Sequence, residues 1–154
     1  MTDANALYSE LKPQIEAVAT PLIDFSERCL HARGNFLPHA AVLTAEGNVE
    51  LFMAHHGGQD PTNAAEMLPL LHEGLRLFAK EKALAALGVA ESVTITFPGE
   101  PSTLAIKVLF EHRRGLTVSL YVPYETNAAK ELVFSPMFSV LATPEVRAFE
   151  AAKS

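Results

Sequence analysis

The stretch LAIKVLFEHRRGLTVSLYV, residues 104–122, decides the fold. Leu104, Ile106, Val108 and Phe110 alternate with Ala105, Lys107, Leu109 and Glu111. Leu116, Val118, Leu120 and Val122 alternate with Thr117, Ser119 and Tyr121. Successive side chains of a strand point to opposite faces, so each run is a strand with one apolar face. Arg113, Arg114 and Gly115 turn the chain between them, which makes an antiparallel hairpin. Just upstream, Val93, Ile95 and Phe97 alternate with Thr94 and Thr96, and Pro98-Gly99-Glu100-Pro101 is turn chemistry. The middle strand runs about ten residues, so its upstream partner is expected to begin near Gly88.

Outward from this meander the pattern changes. Leu11, Ile15, Val18, Leu22, Phe25 and Cys29 step by four and three, the spacing of one helical face. Pro21 interrupts the stripe, and Thr20-Pro21 reads as an N-cap with a first helical residue. A kinked helix, or two abutting ones over about 4–19 and 21–32, is expected. A hairpin follows, Phe36 to Thr44 and Asn48 to Ala54, joined by Ala45-Glu46-Gly47. Val49, Leu51 and Met53 form the apolar face of its second strand, with Phe52 on the other. Asp60-Pro61 opens a second helix with Met67, Leu70, Leu71, Leu75 and Phe78 on one face. Propensity extends it through Ala83 to Leu87, with Gly88 as its cap. Leu132 to Phe134 adds a short edge strand, and Pro144 to Ala152 reads as a terminal helix. The sum is one α+β domain over residues 1–154: an antiparallel sheet of five to six strands, helices mainly on one face, order α-β-β-α-β-β-β-(β)-α.

That order resembles the roadblock and longin-like group, and more loosely profilin-like and PAS or GAF sensor domains. Separately, Phe36-Leu37-Pro38-His39-Ala40-Ala41-Val42-Leu43-Thr44-Ala45-Glu46-Gly47 and Leu109-Phe110-Glu111-His112-Arg113-Arg114-Gly115 look like segments of an uncharacterised family of small bacterial proteins. These resemblances imply a fold and carry no activity with them.

Composition narrows the function classes. The 154 residues carry 12 Lys and Arg against 18 Asp and Glu, a formal charge of −6. Such a charge disfavours nucleic acid and anionic membrane as partners. The lone cysteine, Cys29, permits no internal disulfide and fits a reducing compartment. Asp3, Glu10, Lys12 and Glu16 stand where a secretory leader would be apolar, so the expected location is cytoplasmic.

Several side chains are candidates for chemistry. His55 and His56 with His112 are of a type that binds zinc, copper or nickel, but no carboxylate or thiol stands beside them at ligand spacing, so no metal and no cofactor is expected. Glu111-His112-Arg113-Arg114 is the densest polar cluster, and arginine forks suit carboxylates and phosphates. Tyr121 and Tyr124, like Phe52, are placed to line a pocket or a subunit contact. The expected ligand-binding residues are therefore His112, Arg113, Arg114, Tyr121 and Tyr124. Cys29 lies on the apolar stripe and is expected to be buried and inert. Gly-x-Ser-x-Gly elbows and glycine-rich phosphate loops are missing, which ranks an enzyme last. A non-catalytic interaction module acting as a homodimer ranks first, with Phe52 near its interface. A small-molecule sensor or carrier with a pocket between sheet and helices comes next, and an acidic inhibitor or immunity-type protein third.

Overall fold

The computed structural model describes residues 4–52 and 64–149. Chain order is α1 (Ala4–Arg33), β1 (His39–Thr44), β2 (Val49–Phe52), α2 (Ala64–Glu81), β3 (Leu84–Ile95), β4 (Thr103–His112), β5 (Thr117–Thr126), β6 (Leu132–Phe134) and β7 (Phe138–Leu141). The strands make one antiparallel sheet, β2-β1-β3-β4-β5-β6, with β7 also paired to β5. The α+β class and the element order up to β6 are as the sequence implies. The hairpin of residues 104–122 is the centre of the sheet, with Phe110 facing Val118.

One apolar face belongs to α1. Leu7, Leu11, Ile15, Val18 and Leu22 are buried on it and meet Ala41, Ala86, Ala90, Val108, Phe110 and Val118. The helix runs unbroken through Pro13 and Pro21 rather than as two helices. Each proline deprives a carbonyl four residues back of its donor. Those carbonyls belong to Ser9 and Ala17, both at exposed positions where water can replace the lost bond. Beyond Leu22 the buried positions are Ser26 and Leu30, so Phe25 and Cys29 ride on the flank, and Cys29 is half-buried rather than enclosed.

The segment Ala83–Leu87, helical by propensity, is strand from Leu84 onward, and α2 ends at Glu81. Gly88 is therefore no helix cap. It lies mid-strand opposite Ala41 and Phe110, directly beneath α1. A Cβ on it would stand 2.5 Å from Val18 Cγ1 and 3.0 Å from Leu22 Cδ1. Ala41, Ala86, Gly88 and Ala90 thus form a shallow track that lets the helix approach the sheet closely. The alanines serve this packing, which overrides their helix preference.

The helices were expected mainly on one face. In the structure α2 lies on the face opposite α1, where Leu71 and Leu75 pack with Ala40, Val42, Leu87, Val89 and Val146. Phe52 joins them, its ring edge-on to Phe78 at 6.1 Å. The faces of β2 are accordingly reversed from expectation: Phe52 turns inward, while Val49 and Leu51 are exposed. Residues 144–149 contain no helix, and β7 is a seventh strand that the sequence reading left out. Met53, Ala54, His55, His56 and Asp60-Pro61 lie outside the described residues.

Candidate functional site

The α2 side of the sheet is only partly roofed. Over β4, β5 and β7 it presents a groove lined by Lys107, Ser119, Tyr121, Val140, Thr143 and Glu145, with a volume of about 540 Å³. Strand alternation puts Lys107, Tyr121 and Phe138 on this one face, with Lys107 directly opposite Tyr121 and Tyr121 opposite Phe138. Tyr121 and Phe138 stack at 5.2 Å, and Phe97 lies 5.8 Å from Phe138. Phe97 and Val140 are 44% and 47% exposed, unusual for large apolar side chains grouped together.

A chain of charges borders these rings. Lys107 Nζ donates to Glu145 at 2.8 Å and stands 3.9 Å from Glu91, its cross-strand neighbour. Burial works to lower the Lys107 pKa, but the hydrogen bond and charge of Glu145, then Glu91 and Tyr121, outweigh it and hold it above its ordinary value. Burial raises the Glu91 pKa, with Lys107 pulling it back. Lys107 is therefore a fixed cation that belongs mainly to Glu145. A protonated ammonium of this kind orients a partner or an anion; it does not attack an electrophile.

At the upper end of the groove Glu111 is buried and accepts three backbone N–H bonds, from Glu145 and Val146 at 2.9 and 2.7 Å and from Arg147 at 2.9 Å. Arg76 donates to the Val146 carbonyl at 3.0 Å. His72, on α2, has its Nε2 buried without a hydrogen-bond partner among the described residues. Burial lowers the His72 pKa against the pull of Glu145 and Glu111, with Arg76 and Lys107 adding to the fall.

The expected cluster Glu111-His112-Arg113-Arg114 is split by strand alternation. Glu111 faces the α2 side. His112 faces α1, where its Nε2 is 2.8 Å from Gln14 Oε1 and its Nδ1 accepts the Arg114 N–H at 3.1 Å. Those partners assign the proton to Nε2 of a neutral ring. Burial, then Arg113 and Arg114, pushes the His112 pKa down to about 4. Arg114 pairs with Glu10 at 3.0 Å on the surface, and Arg113 is exposed at the turn. The cavity touching His112 holds only about 70 Å³, too little for a typical small-molecule ligand.

Tyr124 is also apart from Tyr121. It is buried on the α1 face at the far end of the sheet, with its hydroxyl 3.0 Å from Ser92 Oγ. It lines a second groove, of about 700 Å³, between the end of α1 and β5–β6, with His31, Arg33 and Lys130. The structure thus brings neither the two tyrosines nor the basic turn together with Tyr121. What sequence reading missed is the set around Tyr121: Lys107, Glu91, Glu145, Phe97 and Phe138. One signal was present, a lysine between Ile106 and Val108 in the middle of a central strand. The buried His39 is partnered within the fold: Nδ1 lies 2.9 Å from the Leu37 carbonyl and Nε2 3.3 Å from the Ser26 hydroxyl.

Among the described residues no three His, Cys, Asp or Glu side chains gather as a metal site, and no helix is long and apolar enough to cross a membrane. His55 and His56, the other metal candidates, are not among those residues. No protein-family model matches this chain, and no curated protein or solved structure matches it either.

Proposed function

We propose that the chain is a non-catalytic protein-interaction module that assembles as a homodimer in the cytoplasm. The observation that carries this reading is the aromatic group Phe97–Phe138–Tyr121 with Val140, in which Phe97 and Val140 are exposed and Tyr121 and Phe138 half-buried, bordered by the charges of Glu91, Lys107 and Glu145. Aromatic residues at the centre and polar ones at the rim are the anatomy of protein interfaces. Flat sheet faces meet well across a two-fold axis, where one patch serves both partners. Phe52, packed under α2, is replaced in this role by Phe138. We read the element order α1 to β5 as resembling that of the roadblock and longin-like group. Light scattering at about 100 μM, a concentration that detects even weak association, tests the reading. The wild type is expected to be dimeric and Phe138→Glu monomeric. A monomeric wild type sinks the dimer. A dimer untouched by Phe138→Glu moves the interface to the exposed Val49 and Leu51 of β2.

The groove beside Tyr124 favours a second reading, a small-molecule carrier. Its volume lies within the usual range for ligand sites, and Arg33 and Lys130 outnumber Glu131 in its lining, which suits an anionic ligand. Thermal-shift screening against small organic anions, repeated with Arg33→Ala, separates this reading from the first.

A further inference from the structure

Residues 144–149 belong to no helix or strand and are held by side chains of other elements. The Ala142 N–H bond to the Thr117 carbonyl extends β7 by one residue. Beyond it the grip passes to side chains of β4 and α2. Three successive amides, Glu145 to Arg147, converge on the Glu111 carboxylate. Such a curl of backbone N–H groups around an anion is a nest. It needs a left-handed residue, here Arg147 at φ 61°. Val146 is fully buried against Leu71, Leu75 and Leu87. Glu145 reaches Lys107, and Arg76 reaches the Val146 carbonyl.

We propose that residues 144–149 are a strap that opens as a unit, with Glu111 as its latch, and that opening uncovers His72 and the apolar side chains of Leu71, Leu75 and Leu87 against which Val146 packs. Two features oppose closure. A non-glycine residue in the left-handed region is strained, and the strain is released when the strap lifts. His72 Nε2 is sealed from solvent without a hydrogen-bond partner among the described residues, and opening hydrates it. The strap is held closed by the buried Glu111 carboxylate with its three donors, by the Glu145–Lys107 and Arg76–Val146 bonds, and by the Val146 side chain. A short segment that belongs to no helix or ladder has an opening free energy below that of the whole domain. The device stands whether or not the chain dimerises, because its parts lie within one copy.

Amide hydrogen exchange on the full-length chain, read residue by residue by NMR at neutral pH, tests it. In Glu111→Gln the amides of residues 145–147 are expected to exchange about tenfold faster or more, the loss of one charge-assisted hydrogen bond. The amides of Val89 and Val108 in the β3–β4 ladder keep their rates. Val146→Ala is the sharper variant, because it leaves all three bonds to Glu111 in place. Faster exchange at 145 and 147 in Val146→Ala then reports undocking of the whole segment. Unchanged exchange there, or an equal acceleration in the ladder, overturns the strap and makes Glu111 an ordinary part of one cooperative core.

Discussion

The two faces of the sheet are closed by different means. On one, a 30-residue helix lays a continuous apolar stripe along small residues of β1 and β3 and the larger ones of β4 and β5. On the other, a shorter helix covers β1 and β3, and over β4, β5 and β7 lie Lys107, the carboxylates of Glu91 from β3 and Glu145 from the segment after β7, and a row of rings. Stability is concentrated where packing is continuous and close. Recognition needs surface that is shaped but not sealed. The same strand supplies both: in β4, Ile106, Val108 and Phe110 face α1, while Lys107 and Glu111 face the groove.

The largest expected effect tests the sealed face. Phe110 is fully buried between Gly88 and Val118 in register. Phe110→Ala should cost about 3–5 kcal/mol, the range for truncating a buried aromatic. Urea unfolding followed by circular dichroism measures it. A loss under about 1 kcal/mol, typical of surface positions, means that this face is not the core. Next comes Gly88→Ala. The added methyl meets Val18, a short branched side chain with no room to move aside, and overpacking of this kind costs about 1–3 kcal/mol. An alanine that stabilises the protein instead would show that α1 can retreat from the sheet.

How much of this was legible in the sequence follows the same division. The meander of β3, β4 and β5 could be read because alternation there is strict, and so could the span of α1. The continuity of α1 could not, since Pro21 breaks helices by local rules, and that the residue losing its donor, Ala17, sits at an exposed position is known only from the fold. Ala83–Leu87 misled because alanine favours helices locally, while its use here is close approach to Val18 and Leu22 of α1, more than sixty residues earlier. The site residues were hidden for the same physical reason. Lys107, Glu91, Glu145 and Phe138 come from four separate stretches and meet only through sheet register. The Pro144–Ala152 segment looked helical, yet the amides of 145–147 are taken by a glutamate 34 to 36 residues away, which no local pattern announces.

A third, smaller effect separates the faces by pH. His112 has a folded pKa of about 4 against an ordinary value of 6.5, because burial and the neighbouring arginines oppose its charge. Between those values the unfolded chain binds a proton that the folded chain does not. Its contribution to stability is complete above pH 6.5 and falls as the pH drops toward 4. Urea midpoints at neutral and mildly acid pH should therefore differ less in His112→Gln than in the wild type. Equal slopes would mean that His112 is reached by water on the α1 side.

The smallest expected effect on stability is on the open face. Phe138 touches Tyr121 and Phe97 through its ring, at 5.2 and 5.8 Å, on an edge strand of four residues. An aromatic contact adds about 0.5–1.5 kcal/mol beyond area, and the exposed side of this ring adds little more. Phe138→Ser should therefore lower the unfolding free energy by about 1 kcal/mol, well under the cost of Phe110→Ala. Its effect on association runs the other way. An aromatic anchor at the centre of an interface costs about 2 kcal/mol or more when truncated, roughly thirtyfold in the dissociation constant. Unfolding of dilute protein, where both variants are monomeric, compared with sedimentation at high concentration keeps the two quantities apart. A large loss of monomer stability would assign Phe138 to the core and collapse the distinction between the faces. A small loss, with association unchanged, would leave the rings exposed for a partner other than a second copy.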